Sequence, residues 1–470
     1  MFMVGVNAYL LRVCLSTILV GNSGLSQELN WSVEENGFVL SGFFWGYMFG
    51  NFPSGILASR YGSRRVLLVS MILQCIITFL SPFVAINFGV YYFFALRVLL
   101  GLAQSPVYPV AHSLFAVWLN FDERARGFSI MDAGSYWGAA LTLGCGTQIQ
   151  NALGSWSKVF YLFGTITGIF SIYVYFRIQS NPSEKMPSDD EEEVLEGIIN
   201  TPATAAATTT TTLSSLSSSS YYQLNVGTIN IKRNIEDKIP WKKLLCRLDV
   251  FAAIVGPFSI NWSLFMFVTY LPKYLQEEYR FNMSSTHSSA YLLLYPYFLC
   301  GIIGITCGFI SDWLVVSKRL SITHVRKLFQ FIAATAATSS LMLLKHHISN
   351  LTTVVVILCF AIAPGGIVAS ASAATPMDLS QEYAGIIKGL ANGIATFGGA
   401  FNPVLVGYLL TNGKCPTDEV FKQNQTLAWE IASTESCKDA WGTAFDVGAS
   451  ICVFGCIIFL VFGSGKEIEL

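Results

Sequence analysis

Charge is what this chain has least of. Its 28 Lys and Arg and 29 Asp and Glu make up 12% of 470 residues, about half the roughly 25% of a soluble globular domain. The formal net charge is −1, so the one-sided basic excess of a nucleic-acid binder is missing. No P-loop and no His-Glu-x-x-His pair occurs, and no Ser, His and Asp trio stands in a segment polar enough to fold in water. ATP-driven work and the usual hydrolytic chemistries are thereby excluded, and the chain is expected to be no enzyme and to need no cofactor. The 11 cysteines lack metal-ligand spacing. Cys75, Cys145, Cys300, Cys307, Cys359, Cys452 and Cys456 stand singly inside apolar runs and read as small hydrophobes, so no metal is expected.

What is present is apolar. Hydrophobic residues reach 53% and aromatics 14%, a composition suited to lipid-facing surfaces and interfacial belts. Runs of about 20 residues, the length that crosses a bilayer, fall at roughly 3–21, 37–58, 66–86, 89–112, 127–149 and 157–177. A second set falls at roughly 250–272, 289–311, 326–345, 351–373, 384–411 and 443–464. The first run carries Arg12 and lacks a small-residue cleavage site, so it reads as a helix and not a signal peptide. The sequence therefore predicts an all-α integral membrane protein of twelve transmembrane helices. Residues 1–177 form one six-helix bundle and 249–470 another. Residues 178–248 hold the acidic run Asp189 to Glu193 and a Thr/Ala/Ser tract from Thr201 to Ser220. They read as a disordered cytosolic linker, too polar to bury a core.

Two signals predict orientation. Arg60, Arg64, Arg65, Arg124, Arg126, Lys242, Lys243, Lys318 and Arg319 fall in loops on one side if both termini are cytosolic. The glycosylation acceptors Asn30, Asn282, Asn350 and Asn424 fall in loops on the other. A fifth, Asn261, lies inside a helix and is expected to be unused. Cys415 and Cys437 share the last outer loop, where an oxidising compartment would allow a disulfide; two free thiols are the alternative. The halves also echo each other. Gly55 to Ser59 and Gly308 to Asp312 both read Gly-x-x-x-polar at the end of the second helix of a half, as internal duplication produces in many carriers.

Other motifs are more specific. Gly55-Ile-Leu-Ala-Ser-Arg-Tyr-Gly-Ser-Arg-Arg65 resembles the loop signature of the major facilitator superfamily, with Ser59 where an acid is usual and Asp312 keeping the acid in the second half. Leu11-Arg-Val-Cys-Leu-Ser16, Ser41-Gly-Phe-Phe-Trp-Gly-Tyr47, Arg97 to Gly101, Tyr108-Pro-Val-Ala-His112, Gly134-Ser-Tyr-Trp-Gly-Ala139, Asn261-Trp262 and Tyr383-Ala-Gly385 are similar to segments of its anion transporter family. That family includes sialin, the vesicular glutamate transporters and the sodium/phosphate cotransporters, and the Asn261-Trp262 region is most similar to sialin-like members. The resemblance covers both halves and fails in the linker and outer loops.

The resemblance implies secondary active transport of small anions by alternating access, coupled to protons or sodium. The cargo would be acidic sugars or acidic amino acids, or else phosphate. It implies a monomer in a lysosomal, endosomal or plasma membrane. A charge at membrane depth persists only where it faces protein or water. Arg12 and Arg97 are accordingly expected to face a central cavity and grip the anion, a structural ion pair being the other role open to each. Tyr47, Tyr136, Asn261, Trp262 and Asn392 are candidates for the cavity wall, or for packing. Family members often carry Gly-Glu-Gly in the fourth helix, the Glu being linked to proton coupling; here the stretch is Ala103-Gln104-Ser105, and Gln104 cannot titrate. Asp132 could take over that role, cap its helix or pair with Arg126. His112 could relay protons or be a satisfied helix-end histidine. Gly55, Arg60, Arg64, Gly308 and Asp312 are expected to gate, and Asp378 and Lys388 to gate or to pair at helix ends. A non-transporting sensor that keeps the fold is the alternative function. A channel would need a filter or a ring of like charge, which the sequence lacks.

Overall fold

The computed structural model describes residues 1–19, 25–31, 33–120, 123–178, 241–279, 288–346, 350–416, 420 and 424–468. The expected disordered linker lies almost wholly outside these residues, as does Asn282. The described chain is helical throughout. In the first half, α1 is Phe2–Ile18, α2 Leu25–Glu28, α3 Val33–Tyr61, α4 Ser63–Phe88, α5 Val90–Gln104, α6 Val107–Trp118, α7 Arg124–Leu153 and α8 Trp156–Arg177. In the second, α9 is Trp241–Leu245, α10 Leu248–Tyr279, α11 Ser288–Val316, α12 Ile322–Lys345, α13 Leu351–Ile362, α14 Pro364–Val368 and α15 Thr375–Leu379. It ends with α16 Ala384–Asn412, α17 Gln425–Ala432 and α18 Glu435–Phe462. Pro106 and Pro364 divide α5 from α6 and α13 from α14, because proline lacks the N–H that would continue the helix. Before residue 249, α9 buries Leu244, and Trp241 stacks on Phe52 of α3 at 6.0 Å between ring centroids.

The helices are built for lipid. Among the described residues eight, counting α5 and α6 as one run, are long and apolar enough to cross a membrane. On α4 the polar residues Ser70, Gln74, Thr78 and Ser81 are buried, while Val69, Ile72, Ile76 and Phe83 are exposed. This inverts the pattern of a water-soluble helix: polar groups turn inward to find partners, and apolar ones face hydrocarbon. Ser70 Oγ accordingly donates to Ala103 O at 2.6 Å, and Gln74 Nε2 to Ser70 Oγ at 3.0 Å. The long helices α3 and α7 fall outside the apolar eight because their Gly, Ser, Asn, Gln and charged residues lower the mean hydropathy.

Within the first half α1 packs on α7, α3 on α5 and α4 on α8; within the second, α10 packs on α16 and α18, and α12 on α18. Two seams join the halves, α7 against α11 and α3 against α16. These are one contact made twice, since α3 and α11 are second helices of their halves and α7 and α16 are fifth. The echoed glycines sit at the seams. A Cβ on Gly55 of α3 would collide with the Gly385 carbonyl of α16, and one on Gly308 of α11 with Ser129 of α7.

At the end where α7 begins and α11 ends, buried polar bonds join the halves. Asp312 Oδ2 accepts the Arg126 backbone N–H at 2.9 Å, placing a carboxylate from one half on the first turn of α7 in the other. The Arg124 guanidinium, fully buried, donates to Met377 O and, at 3.2 Å, to Ala116 O. Within the second half Arg326 grips Asp378 with Nε to Oδ2 at 2.7 Å and Nη2 to Oδ1 at 3.3 Å, and also reaches Ser311 and the Ser370 carbonyl. Asp378→Asn is expected to leave Arg326 buried and unpaired, destabilising the protein by about 3–5 kcal/mol. The melting temperature of detergent-purified protein checks this, and a joint Arg326→Met, Asp378→Leu variant is expected to recover most of the loss.

Candidate substrate cavity

A cavity of about 70 Å³ lies between the halves. Helical spacing builds its wall. Tyr9 and Arg12 come from one face of α1, Phe128, Asp132 and Tyr136 from successive turns of α7, and Lys388 and Asn392 from successive turns of α16. Tyr47 of α3, Tyr108 of α6, Asn261 of α10 and Thr396 of α16 complete the polar lining.

Arg12 dominates the wall of the first half. Its guanidinium carbon lies 4.6 Å from the Tyr9 ring centroid, 4.8 Å from Phe43 and 4.4 Å from Tyr47, so three π faces stabilise the charge without neutralising it. Nε donates to Gln104 Oε1 at 3.3 Å, and Nη2 is buried with no hydrogen-bond partner. Gln104 is fully engaged, since its Nε2 donates to Ala8 O at 2.8 Å and Gln74 Oε1 at 3.3 Å. A glutamate could make neither of those donations; the amide satisfies Arg12 and leaves its charge unpaired. Gln104 does not itself line the cavity.

Arg97 is placed differently from the sequence expectation. It is 2% exposed, lies outside the cavity wall, and gives Nη2 to the Arg12 backbone carbonyl at 3.4 Å. Its Nε and Nη1 have no partner, and among the described residues no carboxylate pairs with either arginine. The sequence showed a charge at membrane depth but not its azimuth. Trp262 is also outside the wall, packing on Phe258 while its carbonyl accepts from Asn402 Nδ2 at 2.9 Å; its neighbour Asn261 takes the cavity position.

Asp132 neither caps α7 nor pairs with Arg126, which instead bonds Glu123 at 2.7 Å. Asp132 faces the cavity and accepts from the Tyr108 hydroxyl at 3.2 Å, a hydroxyl that also bonds Ser135 Oγ at 2.7 Å. His112, fully buried, is outside the wall: Nδ1 lies 3.0 Å from Tyr108 O and Nε2 2.9 Å from Ala373 O in the other half. A neutral ring can donate to only one of these carbonyls; the doubly protonated ring donates to both. Arg60 is exposed at the end of α3, and Arg64 donates to Tyr175 O at 2.6 Å, so Arg64 ties α4 to α8 and not one half to the other. Asn30, Asn350 and Asn424 are exposed or partly so, the last two capping α13 and α17 through Oδ1. Cys415 and Cys437 are joined as a disulfide.

Lys388 is the residue most misjudged from sequence. Neither helix-end pairing nor gating describes it, for it is 4% exposed and lines the cavity. Residues Ala369 to Ser380 are all buried, as are Ala384 to Ala391 of α16, with Gln381 and Glu382 exposed between them. The signal available in the sequence was a lysine among small residues four positions before Asn392. Tyr9 and Tyr108 were missed because aromatics are too common here to single out.

Apolar helices in two matched halves, with an unpaired cation at the interface, describe a membrane carrier. The sequence description of the Major Facilitator Superfamily matches residues 1–403, and the chain belongs to that family. It is 27% identical over 419 residues to the chloroplastic ascorbate transporter of Arabidopsis thaliana, covering 87% of this chain and 70% of that one. Sialin of Ovis aries is 27% identical over 451 residues, covering 96% and 79%. Probable anion transporter 5 of Arabidopsis thaliana is 28% identical over 468 residues, covering 98% and 94%. Among solved structures, the proton:xylose symporter XylE bound to 6-bromo-6-deoxy-D-glucose shares the fold, with a TM-score of 0.63 at 15% identity over 99% of this chain and 94% of that one.

Cysteine substitution tests the wall. In a background without reactive thiols, Lys388→Cys is expected to react with a small charged methanethiosulfonate, and Arg97→Cys to resist it under the same conditions.

Proposed function

We propose that this protein is a secondary active transporter of small anions, driven by a proton gradient and working by alternating access of its two halves. The observation that carries the reading is Arg12: a guanidinium on the wall of a cavity between the halves, with a buried unspent donor and no carboxylate partner among the described residues. Such a group gains most from an oxyanion that accepts its free N–H. The printed names of the relatives, an ascorbate transporter, sialin and an anion transporter, support anionic cargo.

Coupling runs through Asp132. It is the carboxylate on the cavity wall, while the fourth-helix position linked to coupling in the family holds Gln104. Protonating Asp132 removes a negative charge beside the anion, so anion affinity rises as pH falls through its titration. By linkage a bound anion makes that proton harder to lose, and the two move together. The carrier is a monomer in a lysosomal, endosomal or plasma membrane, its termini and linker cytosolic and its sequon loops on the far side.

Proteoliposome uptake across an anion panel, with pH and sodium gradients imposed separately, tests this. Arg12→Ala is expected to lose roughly 30-fold or more in anion affinity. Asp132→Asn is expected to keep anion exchange between equal pools but to lose acceleration by an inward proton gradient. Undiminished uptake by Arg12→Ala would overturn the site, and a retained pH response in Asp132→Asn would overturn the coupling. Asn350→Gln and Asn424→Gln are each expected to remove one glycan-sized step in gel mobility when the protein is made in a glycosylating host.

A further inference from the structure

Lys388 is the charged group in the cavity that anion transport through Arg12 and Asp132 leaves without a task. It stands on α16 in the second half, within electrostatic reach of Asp132 on α7 in the first. Its ammonium lies 4.9 Å over the Phe128 ring, and no ion pair or hydrogen bond reaches it from the described residues. A lysine near a membrane helix end ordinarily extends its stem toward water. This one is turned into the protein, where a lone ammonium is strongly disfavoured unless something polar enters beside it.

The balance of charge says what that something is. Lys388 is buried and Arg12 half-buried on the wall of one small space, and buried Arg97 stands behind Arg12, outside the wall. Asp132 is the carboxylate set against them. When all are ionised the wall carries one uncompensated positive charge, and Arg97 adds a second from behind Arg12. The cations are also divided between the halves, with Arg12 offering Nη2 from α1 and Lys388 its ammonium from α16. A ligand with one negative charge can neutralise one wall. A compact ligand with two can neutralise both, drawing the halves together around it.

Resting on the reading of this cavity as the transport site, we infer that Lys388 is a substrate-binding and specificity-determining residue. It forms with Arg12 a clamp across the two halves for a small divalent oxyanion. Asp132 is the counter-ion that Lys388 exchanges for the substrate. At about 70 Å³ the cavity suits inorganic phosphate or a short dicarboxylate, well below the roughly 300–1,000 Å³ of sites for drug-sized ligands. The groups facing Asp132 are Tyr9 and Arg12 of α1, Tyr108 of α6, Tyr136 of its own helix, Cys300 of α11 and Lys388. Of these, Lys388 and Arg12 are cationic. As the substrate takes both cations, Asp132 loses its counter-charge and binds a proton from solution. No covalent bond changes.

The experiment uses full-length purified protein, with binding of phosphate, succinate and propionate read by ligand-induced thermal shift and by counterflow in proteoliposomes. At a pH where both succinate carboxyls are ionised, wild type is expected to bind phosphate or succinate at least about tenfold tighter than propionate. The phosphate and succinate arms tell the two sources of divalent charge apart. Lys388→Leu is expected to bind the divalent probe roughly 30-fold more weakly while propionate changes by less than about threefold, and Lys388→Arg to restore the preference. Ligand-free Lys388→Leu is expected to melt no lower than wild type, because an unpaired buried charge has gone. Unchanged divalent affinity in Lys388→Leu, or equal loss for propionate, would overturn the inference. Wild type that takes up anions in an Arg12-dependent way without preferring divalent ones would overturn the clamp and leave the transport reading standing. Wild type inert to the whole panel would overturn both.

Discussion

A guanidinium held at membrane depth with no carboxylate against it among the described residues sets the terms for the rest of the molecule. Arg12 must be kept charged, oriented and reachable without being neutralised. Tyr9, Phe43 and Tyr47 meet that need by presenting ring faces, which attract a cation while offering no competing anion. Gln104 meets it by accepting from Nε with an amide oxygen and spending its own N–H groups on Ala8 and Gln74. Arg97 holds the Arg12 carbonyl from behind and adds a second positive charge to the same region. An acid at position 104 would satisfy Arg12 at the cost of its affinity for anything else.

The second constraint is that this group must meet water from one side at a time. The seams of α3 with α16 and α7 with α11 are the same contact repeated by duplication, and each has a glycine where backbone meets the opposing helix. Close approach there lets the halves pivot on backbone surfaces and not on interlocked side chains. The end where α7 begins is locked by side chains instead, through Asp312 on the first turn of α7 and Arg124 on the α15 carbonyl. These bonds are buried but few, and each has polar groups that water can satisfy when the end opens. The matching position in the first half holds Ser59, which bonds its own helix at Ile56 O.

Much of the architecture is legible in the order of residues alone. Twelve apolar runs, the break between the sixth and seventh, and the echo of Gly55 in Gly308 define it, because spanning a bilayer needs a fixed length of apolar chain and little else. Arg12 stands out because charge is rare in such runs. The side a residue faces is much less legible. Arg97 gives the same signal as Arg12 yet sits behind it, and Trp262 gives the same signal as Asn261 yet packs outside the wall. Lys388 looks like a helix-end lysine because its depth is counted from the start of an apolar run.

Sequence by itself determined the class of solvent, the number of spans and the presence of cations at membrane depth, since each follows from composition over about twenty residues. Tertiary structure decided which of those cations meet. Azimuth on a helix and depth in a bundle depend on how a connector such as Ala369 to Ser380 folds inward, and that is fixed by packing against the other half. No local run of sequence carries it.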